Sequence, residues 1–93
     1  MFVINISYKV PFEKIEPYFE AHIKFVRKYV EKEIFFLTGK KIPRSGGLII
    51  SNAGDKDTLL KILSEDPFWE FDLADFGIQE IQLSQVSERL LKL

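Results

Sequence analysis

Few side chains in this chain can move a proton, and one of them is set apart by its surroundings. His22 is the only histidine. It belongs to the series Ile15, Tyr18, Phe19, His22, Val26, Tyr29 and Val30, whose steps of three and four trace one face of a helix. The other members are aliphatic or aromatic, so an imidazole among them needs a hydrogen-bond partner or carries a desolvation cost. Asp66, in Glu65-Asp66-Pro67-Phe68, is the most suggestive acceptor. Two readings of each residue stand side by side. His22 is either a core histidine bonded to a backbone carbonyl or a Tyr hydroxyl, or a general acid/base facing a pocket. Asp66 before Pro is an N-cap signature in its own right, and it is also the group that would orient the imidazole. A carboxylate has enough acceptor sites for both roles.

The segment Lys40 to Gly47 holds three cations (Lys40, Lys41 and Arg44), the Ser45 hydroxyl and two glycines. It reads either as an anion-binding lid, with Arg44 and Ser45 as candidate substrate contacts, or as a solvated connector. It is not a phosphate loop, because no Lys-[Ser/Thr] follows the glycines. Tyr8 and Tyr29 carry hydroxyls able to reach His22 or a substrate, and Tyr8 is taken as the third candidate substrate contact. Phe68, Trp69, Phe71 and Phe76 read as core or dimer contacts, some of them walling a pocket. With one His and no Cys, a metal would find only carboxylates as further ligands, so neither a metal site nor a cofactor is expected.

The elements that must position these groups follow from patterning. Phe2 to Tyr8 alternates as a half-buried strand. Pro17 is best tolerated in a first turn, so a helix is predicted from Glu16 or Pro17 to about Lys32, with residues 12–15 as a loop or single turn. Ile34 to Thr38 is a second strand, Gly39 to Gly47 a connection, and Leu48 to Ser51 a third strand. Asp55 or Asp57 caps a second helix through Ser64, Asp66-Pro67 opens a short turn or helix, and Phe76 to Leu83 forms a fourth strand. In that last strand Phe76 and Ile78 share one parity and Ile81 and Leu83 the other, which predicts a bulge near Gln79-Glu80. The order β-α-β-β-α-β predicts a single α+β domain over residues 1–93. Its form is ferredoxin-like: a four-stranded antiparallel sheet with two helices on one face. Strands two and three are apolar at consecutive positions, so the second sheet face also needs cover, and a two-fold homodimer is the simplest cover.

Composition excludes several function classes. Of 93 residues 46% are hydrophobic and nine are Phe, enough for a core. Lys and Arg number 13 against 14 Asp and Glu, a net charge of −1 without a basic run, so nucleic acid is not expected as a partner. Met1 to Ser7 has neither a basic n-region nor a small-residue cleavage site, so no signal peptide is expected. Apolar runs fall far short of the roughly 20 residues that span a bilayer. A cytoplasmic protein with no membrane partner is the expectation, in keeping with the lack of cysteine.

Taken together, a helical His after the first strand, a Gly after the second and an Asp-Pro-Phe after the second helix resemble the YCII-related family. These are His22, Gly39 and Asp66-Pro67-Phe68. Lys41-Ile42-Pro43-Arg44-Ser45-Gly46-Gly47 is similar to the Lys-Val-Pro-Arg-Thr-Gly-Gly loop of one branch, and the likeness runs from Phe2 to about Ser84. The resemblance implies a dimeric α/β barrel and a cleft in which His22 and Asp66 form the catalytic pair. A few similar proteins are dehydrochlorinases of chlorinated hydroxyquinols, and muconolactone isomerases share the wider fold. The resemblance therefore implies cofactor-free isomerase or lyase chemistry on a small molecule, against the alternative of a non-catalytic dimer that binds a small ligand or acts as an interaction module. The chain departs from the family pattern where Lys40 replaces a frequent Pro, Glu33 a frequent Gly, and Glu70-Phe71-Asp72-Leu73 a frequent Arg-x-Gly-Leu. Asp tolerates left-handed backbone better than most residues, so Asp72 would serve where Gly does.

Overall fold

In the computed structural model, which describes residues 1–92, the alternation of the first segment becomes strand β1, Phe2–Tyr8. Phe2, Ile4 and Ile6 are buried under the helices, while Asn5 on the opposite face is exposed. Strands β2 (Phe35–Lys40), β3 (Gly46–Ser51) and β4 (Ala74–Glu80) complete one antiparallel sheet in the order β2-β3-β1-β4. Helix α1 spans Phe12–Glu31, α2 Lys56–Leu63, and the single turn α3 Pro67–Glu70. Ile15, Phe25 and Tyr29 of α1 meet Leu59, Ile62 and Leu63 of α2 over the β1 residues in one core. This is the ferredoxin-like α+β arrangement.

Helix α1 starts earlier than the prolines imply, and Pro17 lies inside it. An interior proline costs about 3 kcal/mol. Here it forfeits one bond on the exposed side, while the extra turn buries Ile15 completely, worth about 1.5–3 kcal/mol. The buried stripe is also rotated from the expected one: Phe25 is buried and Val30 is exposed. At the C-terminus of α1, Glu33 adopts a left-handed φ of 59°. The Ile34 N–H donates to Tyr29 O at 3.0 Å and the Glu33 N–H to Val30 O at 2.9 Å, a Schellman ending. Asp72 closes α3 in the same way, with φ 55° and the Leu73 N–H donating to Phe68 O at 2.9 Å.

Two expected boundaries move. The connection between β2 and β3 shrinks to residues 41–45, because Gly39, Gly46 and Gly47 pair within strands. Gly46 is there because nothing larger fits: a Cβ would lie 1.8 Å from Ile6 O. The predicted bulge at Gln79-Glu80 does not occur. Strand β4 pairs without interruption from Ala74↔Tyr8 to Glu80↔Phe2, and the change of parity marks the strand end. The register shift lies instead in β2, between Phe35 and Leu37, burying Phe35 and exposing Phe36. Ile81 and Leu83 leave the sheet and join Val86, Leu90 and Leu91 along an apolar groove with Phe36 and Leu37. Asp55, not Asp57, caps α2, accepting from the Thr58 N–H at 2.8 Å. Among the described residues no helix is long and apolar enough to cross a membrane.

Candidate active site

The turn between α2 and α3 is where the site is assembled. Asp66 holds extended backbone ahead of Pro67, and its Oδ1 accepts from the Phe68 N–H at 3.0 Å. That bond starts α3, with Pro67 in the first helical position, where its missing N–H costs nothing. The same carboxylate lies 2.9 Å (Oδ1) and 3.0 Å (Oδ2) from Nδ1 of His22 on α1. Asp66 is therefore both cap and imidazole partner, the two roles that its position leaves open. It is completely buried, a location a carboxylate tolerates only when its oxygens are bonded.

The neighbouring Glu65 ties the same turn to the end of α1. It accepts from Lys28 Nζ at 2.9 Å and from the Tyr29 hydroxyl. The Tyr29 hydroxyl and the Lys28 ammonium hold the Glu65 carboxyl below its usual range. Burial, followed by the Glu65 bond, pushes the Tyr29 phenol up.

Because a carboxylate only accepts, Nδ1 of neutral His22 carries the proton and Nε2 presents a lone pair. The ring plane is fixed from below by Phe68, stacked at 4.0 Å between centroids and 10° between planes. Every buried side-chain N or O among the described residues has a partner. Nε2 has none, so it is not sealed in. His22 lines a solvent-open cavity of about 200 Å³ with Tyr8, Phe19, Lys40 and Phe68. Burial pushes the Tyr8 phenol above its ordinary value against the pull of the Arg44 guanidinium. Its hydroxyl is consequently a donor throughout the neutral range.

The remaining candidates separate. Tyr8 borders the cavity. Arg44 does not line the cavity itself; its guanidinium lies 4.3 Å from the Phe12 ring and 4.7 Å from the ring of Phe19, which does. Ser45 is outside: its side chain is exposed, and its contribution is a backbone carbonyl accepting from the Tyr8 N–H at 2.9 Å. Lys40, one of the three cations of the candidate anion-binding lid, and Phe19, read only as part of the helix stripe, both border the cavity. The signal for Lys40 was its parity in β2, hidden by reading residues 39–47 as a connection. Among the described residues no three His, Cys, Asp or Glu side chains group as a metal site would.

A family model described as the YCII-related domain matches residues 1–82. The chain belongs to the YCII-related family. No curated protein matches it. The matched stretch of this YCII-related chain contains every element that lines the cavity, from β1 through α3. The apolar segment beginning at Leu83 lies beyond the match.

Proposed function

We propose that this YCII-related protein is a cofactor-free acid/base catalyst acting on a small molecule, of isomerase or eliminating-lyase type, with His22 as proton carrier and Asp66 as its positioning partner. The observation that carries this reading is a fixed imidazole with Nδ1 on a buried carboxylate and Nε2 open to a cavity. In such a site Nε2 removes a proton from a carbon activated by a neighbouring carbonyl, and the electron pair moves toward that oxygen. The Tyr8 hydroxyl is suited to donate to the oxygen as negative charge grows. Returning the proton to another carbon completes an isomerisation. Expelling a leaving group such as chloride with the same electron pair completes an elimination. Asp66 stabilises the imidazolium formed between the two steps.

A panel of lactones and halogenated phenols, assayed with the wild type, His22→Asn and Asp66→Asn, tests this. Activity lost in both variants supports it, and activity retained in both rejects it. A second reading has its own observation in favour: Asp66 also caps α3, so the pair has a structural role that needs no reaction. In that reading the protein is a non-catalytic dimer that binds a small ligand or serves as an interaction module.

The homodimer and a cytoplasmic setting belong to the same proposal. Support for the dimer is the sheet face opposite α1 and α2, where Leu48 and Ile50 of β3 are half-buried in the single chain and the neighbouring Leu37 is exposed, although Ile81, Leu83, Val86, Leu90 and Leu91 border the same groove as Leu37 and Ile50. Ile50→Glu is expected to convert a dimer to monomers in sedimentation velocity, and a wild type that sediments as a monomer rejects it. The cytoplasmic setting is supported by a chain free of cysteine.

A further inference from the structure

Building on the acid/base reading of His22, we infer that the cavity selects a single-ring organic carboxylate, its anion held by Lys40 and Arg44 and its ring laid against Phe19. Lys40 stands opposite Gly47 in the β2–β3 register, and Gly47 stands opposite Ile6 of the buried face. Lys40 therefore rises on the helix side of the sheet, toward His22. The residue facing it has no side chain to fill the space between them. Its ammonium lies 5.7 Å from the Phe19 centroid, and the Arg44 guanidinium approaches the same ring at 4.7 Å. Two cations near the two ends of the short 41–45 connection thus approach one aromatic ring that lines the cavity. Neither has a carboxylate at ion-pair distance among the described residues, whereas Lys9, Lys24 and Lys28 each do.

Size narrows the class. A cavity of about 200 Å³ lies below the roughly 300–1,000 Å³ of sites for drug-sized ligands, so its enclosed part matches a single ring better than a nucleotide or a fused-ring compound. Aromatic lining by Phe19, Phe68 and Tyr8 favours a flat, partly apolar body over a bare inorganic ion. A guanidinium matches a carboxylate with two parallel donors. Held there by its acid group, a ring directs its remaining edge toward Nε2. The clamp would also raise the acidity of ring C–H bonds by drawing charge toward the cations.

Because His22 is the only histidine, its imidazole signals in NMR report occupancy of the cavity without ambiguity. The probes are benzoate, benzamide and inorganic phosphate, titrated at low ionic strength into the wild type, Lys40→Gln, Arg44→Gln and the distant control Lys61→Gln. Benzoate is expected to shift the His22 signals saturably, with benzamide and phosphate at least about tenfold weaker. Lys40→Gln and Arg44→Gln are each expected to weaken benzoate by about three- to tenfold, as suits exposed charges, while Lys61→Gln leaves it unchanged. Equal binding of benzoate and benzamide, phosphate binding as tight as benzoate, or indifference to both cation substitutions would overturn the clamp. Calorimetry on His22→Asn keeps the two proposals apart. Charge-dependent benzoate binding in that variant, alongside a wild type inactive on every carboxylate and neutral substrate, rejects the catalytic reading and leaves the clamp standing. Turnover of neutral substrates that is indifferent to Lys40 and Arg44 rejects the clamp alone.

Discussion

Replacing Asp66 by Asn exchanges one oxygen for an NH₂ and, on the proposed reading, should invert the role of the imidazole. In the wild type both carboxylate oxygens lie within 3.0 Å of Nδ1, and Oδ1 also takes the Phe68 N–H. The amide of Asn can keep its oxygen on the Phe68 cap, which leaves its NH₂ facing Nδ1. The one remaining oxygen, 2.9 Å from Nδ1, is shared with the Phe68 cap, whereas the NH₂ has no acceptor but Nδ1, so the ring is expected to shift its proton to Nε2 and accept at Nδ1. Stability then falls only by the difference between a charge-assisted and a neutral buried bond, about 1–2 kcal/mol. Asp66→Ala loses the cap as well, about 1 kcal/mol more, and strands Nδ1. The functional cost of Asp66→Asn is larger, because Nε2 now points a donor at the substrate proton: about 10²–10⁴-fold in turnover. Long-range ¹H–¹⁵N correlation of the single imidazole reads the tautomer directly, and chemical denaturation reads the stability. A wild-type ring protonated on Nε2 at neutral pH, or an Asp66→Asn ring with the same tautomer as the wild type, would refute the reasoning.

Other perturbations have equally definite outcomes. Glu33→Gly should stabilise the fold by about 0.5–1 kcal/mol in thermal denaturation. It relieves a left-handed Glu at φ 59°, and part of that gain is offset by the greater freedom of an unfolded glycine. Gly46→Ala should destabilise by at least about 2 kcal/mol, since its Cβ cannot coexist with the Ile6 carbonyl at 1.8 Å; circular dichroism on denaturant titration measures it. Glu65 titrates lower in the folded chain than in the unfolded one, so its contribution is present above the unfolded value, about 4.3, and is lost as pH falls through the depressed folded value. Glu65→Gln should therefore flatten the acid limb of the stability–pH curve. Because the Glu65 side chain is 43% exposed, solvent screening keeps that change small.

What the sequence disclosed depended on how local each cause was. The strand at Phe2–Tyr8 and the cap at Asp66 were readable because alternation and Asp-Pro chemistry act within a few residues. The pairing of His22 with Asp66 was readable because a lone imidazole on an apolar face demands an acceptor, and few were on offer. Pro17 misled because its local penalty is largely offset by the burial of Ile15, a contact made with distant strands. Gly46 and Gly47 read as turn signals, whereas their purpose is to let β3 approach Ile6 and Gly39. The Lys40 position followed the same error. Once the glycines were assigned to a loop, nothing indicated that this lysine belongs to a strand and faces the helices.

Consecutive acidic residues, Glu65 and Asp66, grip the long helix at places about two turns apart, Tyr29 and Lys28 at one and His22 at the other. The junction thus works like a two-pin latch: a helix that slid or rolled would have to leave both sockets at once. On the proposed reading, ligand selection would come from a cavity whose walls keep their shape, with adaptation confined to the exposed stretch that bears Arg44. Evolution could reshape that stretch freely, while the His22–Asp66 pair behind it, which joins α1 to α3, tolerates almost no redesign.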